Sequence, residues 1–119
     1  MSYYYDFKGR IPRSDISDLA GLKSALARMS NTHFPNQHQT NTYDVESWLG
    51  KTGIVIKEHT NDWGKWVERT LLAIAPFVKG KHTISVKDEE GHKHVLTIHD
   101  GTVFELWPDQ AVEKEIQMG

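Results

Sequence analysis

The chain has 119 residues, a formal charge of −2 at pH 7 and a pI near 6.4, with 38% hydrophobic and 25% charged residues. This describes one ordinary globular domain, 1–119, too apolar for a disordered segment and without the global charge that draws a nucleic acid or an anionic membrane. The absence of cysteine excludes a disulfide framework, a thiolate nucleophile and Cys-ligated zinc or iron–sulfur sites, and it fits a reducing cytoplasm.

The opening MSYYYDFKGR lacks the basic start and apolar run of a signal peptide. Tyr3, Tyr5 and Phe7 alternate as in a strand, which Gly9 and Pro12 end. A helix is predicted from Ser14, capped by Ser14 or Asp15, with Ile16, Leu19, Leu22, Leu26 and Met29 on one stripe. Arg10, Arg13, Lys23 and Arg28 gather positive charge in this first quarter. Residues 30–43 are polar and almost uncharged, with His33 and His38 among them, and read as a surface loop. Val45, Trp48 and Leu49 predict a short helical turn stopped by Gly50, and the β-branched run Gly53–Lys57 a central strand.

Asn61 or Asp62 then caps the strongest helical stripe, Trp63, Trp66, Val67, Leu71, Ile74, Phe77 and Val78, with Pro76 bending its end and Gly80 as C-cap. That run is interrupted by Glu68, Arg69 and Thr70 and is too short to span a bilayer, so no membrane is expected as a partner. His82–Val86, His94–Ile98 and Thr102–Trp107 alternate as three strands, joined by the turn Asp88-Glu89-Glu90-Gly91 and the type I′ signature Asp100-Gly101, and stopped by Pro108. The tail beyond Asp109 is charged, with Val112, Ile116 and Met118 as its anchors and a short helix or fraying as its form. The predicted fold class is α+β. An antiparallel sheet of N-terminal strand, central strand and C-terminal three-stranded meander carries two main helices on one face.

A four-residue turn at 88–91 and a two-residue turn at 100–101 together fix which side chains share a face. One face then collects Ile84, Val86, Val95, Thr97, Phe104 and Leu106, the expected core side. The other collects Leu96, Ile98, Val103 and Trp107, with His92 and His94 at one end and Glu105 nearby. Such an apolar patch is covered by the N-terminal strand, loop or tail, or it is a surface for a partner, or a bulge breaks the register that defines it.

The familiar chemistries are missing. His92-x-His94 places two imidazoles on one strand face, a geometry for a transition metal, but a third ligand is not evident. His59-Thr60 and His82-Thr83 put Thr directly after His, which is the wrong spacing for two-histidine phosphoesterases. Asp88-Glu89-Glu90 lacks the ligand spacing of a calcium loop, and no phosphate-binding glycine loop or nucleophile elbow is present. Trp63 and Trp66 fit burial better than base stacking, because their helix supplies only Lys65 and Arg69 as nearby cations. No catalytic residue, metal or cofactor is assigned, and a nucleic acid is not expected.

The start Met1-Ser2-Tyr3-Tyr4, the Trp63-x-x-Trp66-x-x-Arg69 helix and the Lys87–Gly91 and Asp100–Val103 turns resemble a group of small phage and bacterial accessory proteins. Members begin Met-Gly-Tyr-Tyr and end in a similar hairpin; here Ser2 replaces the glycine. The resemblance implies an accessory protein encoded on a mobile element and brings no chemistry with it. The expected function is a non-enzymatic protein-binding module, an inhibitor of anti-defence type or an immunity protein. It would occlude a host protein or form a homodimer through Leu96, Ile98, Val103, Trp107, His92 and His94. The alternative is a small-ligand- or metal-binding homo-oligomer, or a hydrolase, using the His-rich loop and strand.

Overall fold

Alternation along β1 (Tyr5–Pro12) sends Tyr5, Phe7, Gly9 and Ile11 to one side, and that side becomes the inner face of the molecule. The computed structural model describes residues 4–30, 44–61 and 65–117. Beyond β1, a single 3-10 turn spans Arg13–Asp15 and Ile16 forms an isolated bridge with Val78. The predicted helix therefore starts later, as α1 (Leu19–Ser30). Its cap is Asp18 and not Ser14 or Asp15, since Asp18 Oδ1 accepts the Gly21 amide at 3.0 Å.

Ser30 closes α1 and its buried Oγ accepts the amides of Val45 and Glu46 at 3.2 and 3.3 Å. The rest of the expected loop over 30–43 lies outside the described residues, as do Asp62, Trp63 and Met118. The predicted helical turn is a 3-10 turn at Glu46–Trp48, followed by β2 (Leu49–Gly50) and β3 (Gly53–Thr60). Next come α2 (Trp66–Ile74) and a 3-10 turn, Ala75–Phe77, in which Pro76 stops the α-helical ladder as expected. The remaining strands are β4 (His82–Asp88), β5 (Lys93–His99), β6 (Thr102–Leu106) and β7 (Lys114–Glu115).

The seven strands among the described residues form one antiparallel sheet in the order β2-β3-β1-β4-β5-β6-β7, an α+β fold with α1 and α2 on one side. The tail forms β7 in place of the expected helix or frayed end, with the Ile116 amide donating to the Val103 carbonyl at 2.8 Å. Of its expected anchors, Ile116 packs on the core while Val112 stays exposed.

The Asp100-Gly101 turn is the predicted two-residue type, with φ of 51° and 75°. The β4–β5 connection is one residue shorter than predicted. Gly91 donates to the Asp88 carbonyl at 3.1 Å, Asp88 donates to the His92 carbonyl at 2.9 Å, and Gly91 takes φ +87°. This is a type I turn followed by a left-handed residue, a three-residue loop that pairs Lys87 with Lys93. One residue of slip turns over every following side chain.

Consequently Ile84 faces Leu96, Val86 faces His94 and Ile98 faces Val103 on the same inner side as Phe7 and Ile11. Leu96, Ile98 and Val103 are core residues, each no more than 1% exposed. The outer side carries Val95, Thr97, Phe104 and Leu106, which the sequence pattern placed in the core. Across the sheet, Gly9 sits between Ile56 and Ile84, and only a residue without Cβ fits there: a Cβ would meet Ile84 Cγ1 at 2.7 Å.

Candidate functional site

Helix coverage of the inner face is uneven. Leu22, Ala25 and Leu26 of α1 join Val67, Leu71 and Ile74 of α2 over Ile84, Leu96 and Ile98. Indoles tie two elements to β3: at the start of α2 Trp66 Nε1 donates to Thr60 Oγ1 at 3.3 Å, and from the 3-10 turn Glu46–Trp48 the Trp48 Nε1 donates to Glu58 Oε1 at 2.8 Å. Beyond that end of the helix the inner face is left open as a cleft of about 830 Å³. Its size falls within the ordinary range for small-molecule sites.

The floor is aromatic. Tyr5 and Phe7 of β1 and Val86 of β4 lead to His94 of β5, whose ring stacks on Trp107 with centroids 3.9 Å apart and planes at 17°. The register explains the stack, because continuation of the β5–β6 pairing sets these two residues directly opposite each other. Trp107 is held at the end of its strand by a turn in which its amide donates to Gln110 Oε1 at 3.3 Å and its carbonyl accepts from the Gln110 amide at 3.0 Å. Pro108 ends the strand there, as predicted.

One wall is the first turn of α2, with Lys65, Glu68 and Arg69; the other is Glu105, Lys114 and Ile116 from β6, β7 and its extension. Glu68 is buried in the first helical turn, where the positive end of the helix favours a carboxylate. Lys65 precedes it in the left-handed conformation, φ 57° and ψ 43°, at a cost of roughly 1–2 kcal/mol for a residue with a Cβ. Glu105 and Lys114 are paired across β6 and β7.

Burial pushes the His94 imidazole below its ordinary pKa of 6.5, while the carboxylates of Glu105 and Glu68 pull it back up and Lys65 adds to the lowering. The net result is a neutral ring at pH 7, able both to donate and to accept a hydrogen bond. Asp88 behaves oppositely. Desolvation would raise its carboxyl, but the amide and ring of His92 and the amide of Glu90 together hold it below 3.8.

Of the residues expected to form a partner surface, the structure brings only His94 and Trp107 together at an accessible site. Leu96, Ile98 and Val103 are enclosed, because the shortened hairpin turns them inward. His92 leaves the strand face altogether: it sits in the hairpin with Nδ1 3.0 Å from Asp88 Oδ2. Tyr5 was weighed as a ligand-binding residue but read as an ordinary strand aromatic, Glu68 and Lys114 were not singled out, and no local spacing links the Lys65–Glu68 turn to Tyr5 or Lys114. No group of three or more His, Cys, Asp or Glu among the described residues could hold a metal ion, and no helix among them is long and apolar enough to cross a membrane. Comparison with family models, curated proteins and solved structures finds no match to the chain.

Proposed function

We propose that the protein binds a small organic molecule in the cleft, one with a flat conjugated ring that carries both an anionic and a cationic or hydrogen-bond-donating group. The observation that supports this is the His94–Trp107 stack on the cleft floor, a flat surface half-buried where the neighbouring inner face is fully packed. Cations at Lys65 and Lys114 and carboxylates at Glu68 and Glu105 face the same space. An aromatic zwitterion would meet a partner for each of its groups. Occlusion of a protein partner by Leu96, Ile98 and Val103 would require opening the core, so a protein-binding inhibitor would have to use a different surface.

The test is a panel of aromatic amino acids, aromatic acids and aromatic amines, followed through the Trp107 indole and His94 ring signals by NMR. Saturable shifts with the amino acids, weaker shifts with the acids and amines, and loss of the ligand-induced His94 shift in Trp107→Ala are expected. If no member of the panel moves either signal at millimolar concentration, the reading is wrong.

A further inference from the structure

The outer face of the sheet has a charge pattern that the overall charge of −2 conceals. Outward positions on β1, β3, β4 and β5 include Lys8, Arg10, Lys57, Lys87 and Lys93, all exposed, against one carboxylate, Asp6. Lys8 lies directly opposite Lys57, and Lys87 directly opposite Lys93. Like charges in cross-strand register repel, which destabilises a sheet. Among the described residues none of these five cations takes part in an ion pair, and Asp6 is itself engaged by His59 Nδ1 at 2.7 Å.

The cations form a connected track. Arg10 and Lys8 are two apart on β1, Lys57 is beside Lys8, and Lys87 is diagonal to Lys8 on the neighbouring strand. Diagonal neighbours of this kind are about 7–8 Å apart, so the track runs obliquely over four strands. An aromatic platform lies at its side: the exposed Tyr4 ring stacks on His59 with centroids 5.1 Å apart and planes only 7° from parallel. Thr83 and Ser85 add exposed hydroxyls beside the track, and the exposed Val55 lies opposite Arg10 at its other side.

We infer that this face is a docking surface for single-stranded nucleic acid. The cation track follows the phosphates, and an unpaired base extends the Tyr4–His59 stack. Charge complementarity selects a polyanion. The aromatic pair selects one with flat bases free to stack, and an open sheet offers no helix or wedge to enter a duplex groove. An acidic protein would satisfy the lysines but leave the stack without a role. This surface lies on the opposite side of the sheet from the cleft, so the inference does not depend on the cleft having a ligand.

The experiment is fluorescence anisotropy of the full chain with labelled 15-nucleotide oligo-dT and oligo-U, and with a labelled poly-glutamate peptide as the charge-only control. Binding is expected for both oligonucleotides, with Kd rising about 50-fold between 50 and 200 mM salt if about four phosphates are contacted. The variants Lys8→Gln/Lys57→Gln and Lys87→Gln/Lys93→Gln should each weaken binding tenfold or more with unchanged circular dichroism and urea midpoint. Tyr4→Ala should weaken it about fivefold without changing the salt slope, and Trp107→Ala in the cleft should leave it untouched. Absence of oligonucleotide binding at 50 mM salt would overturn the inference. So would equal or tighter binding of poly-glutamate, which would point to an acidic protein, or insensitivity to all three outer-face variants.

Discussion

Asp88 and His92 clasp each other at both backbone and side chain. The Asp88 amide donates to the His92 carbonyl at 2.9 Å, and the Asp88 carboxylate receives the His92 amide at 2.9 Å, with the ring Nδ1 3.0 Å from its other oxygen. The Glu90 amide adds a further bond to the same carboxylate. The clasp fits a three-residue loop and no other, so it decides which side of β5 faces the core.

Stability at low pH should depend on that carboxylate. Its folded pKa lies below the unfolded value of 3.8, so the stabilisation is fully present above 3.8 and is lost as pH falls through the folded value. Asp88→Asn should lower the urea midpoint at pH 6 and flatten the acid limb below pH 4 relative to the parent chain. An acid limb of unchanged shape would remove Asp88 from this account.

Gly91 takes φ +87° with nothing within 4 Å of where a Cβ would stand. Gly91→Ala is therefore expected to cost about 1–2 kcal/mol through backbone conformation alone, with no steric contribution. Chemical denaturation measures it, and cross-strand NOEs between Lys87 and Lys93 should persist.

Leu96→Ala should destabilise by about 2–5 kcal/mol, as expected for a residue that is 1% exposed in the core. Lys93→Ala, three residues earlier on the same strand and on the outer face, should stay within about 0.5 kcal/mol. The reverse order of effects would mean that the hairpin has the four-residue register.

The His94 ring should titrate below 6.5 by NMR, because burial disfavours its charged form. The unfolded chain takes up the proton first, so stability falls as pH drops below 6.5 and the loss is complete below the folded pKa. Trp107→Ala uncovers the ring and should move its titration back towards 6.5.

Gly9→Ala should cost about 1–3 kcal/mol, since the added methyl would meet Ile84 Cα and the Thr83 carbonyl oxygen at 3.1 Å and neither can rotate away. The urea midpoint reads this directly.

The five longer strands, both helices and most turns were legible because each rests on a local signal: alternation in β1 and β4, a helical stripe in α2, and Asp100-Gly101 with both φ values positive; the two-residue strands β2 and β7 carry no such signal and were not expected. The inward face of β5 was not, because it depends on whether Gly91 ends a four-residue turn or supplies the left-handed residue of a three-residue one. A clue was present in β5 itself, where Leu96 and Ile98 alternate with Val95, Thr97 and His99 and form the more apolar set. The cap at Asp18 was missed because Ser14 and Asp15 offer the same chemistry, and only the Ile16–Val78 bridge holds that stretch extended. The cleft could not be read at all. Lys65, Glu68, His94 and Lys114 come from three separate parts of the chain and meet only once the sheet is ordered.

Both margins of the sheet are closed by strands of only two residues, Leu49–Gly50 on one side and Lys114–Glu115 on the other. They cover only part of their neighbours: β2 pairs with Gly53 and Ile54 alone, so among the described residues 55–59 of β3 have a partner strand, β1, on one side only. That stretch is where another chain could extend the ladder, and the exposed Lys57 within it is the kind of charge that discourages such pairing.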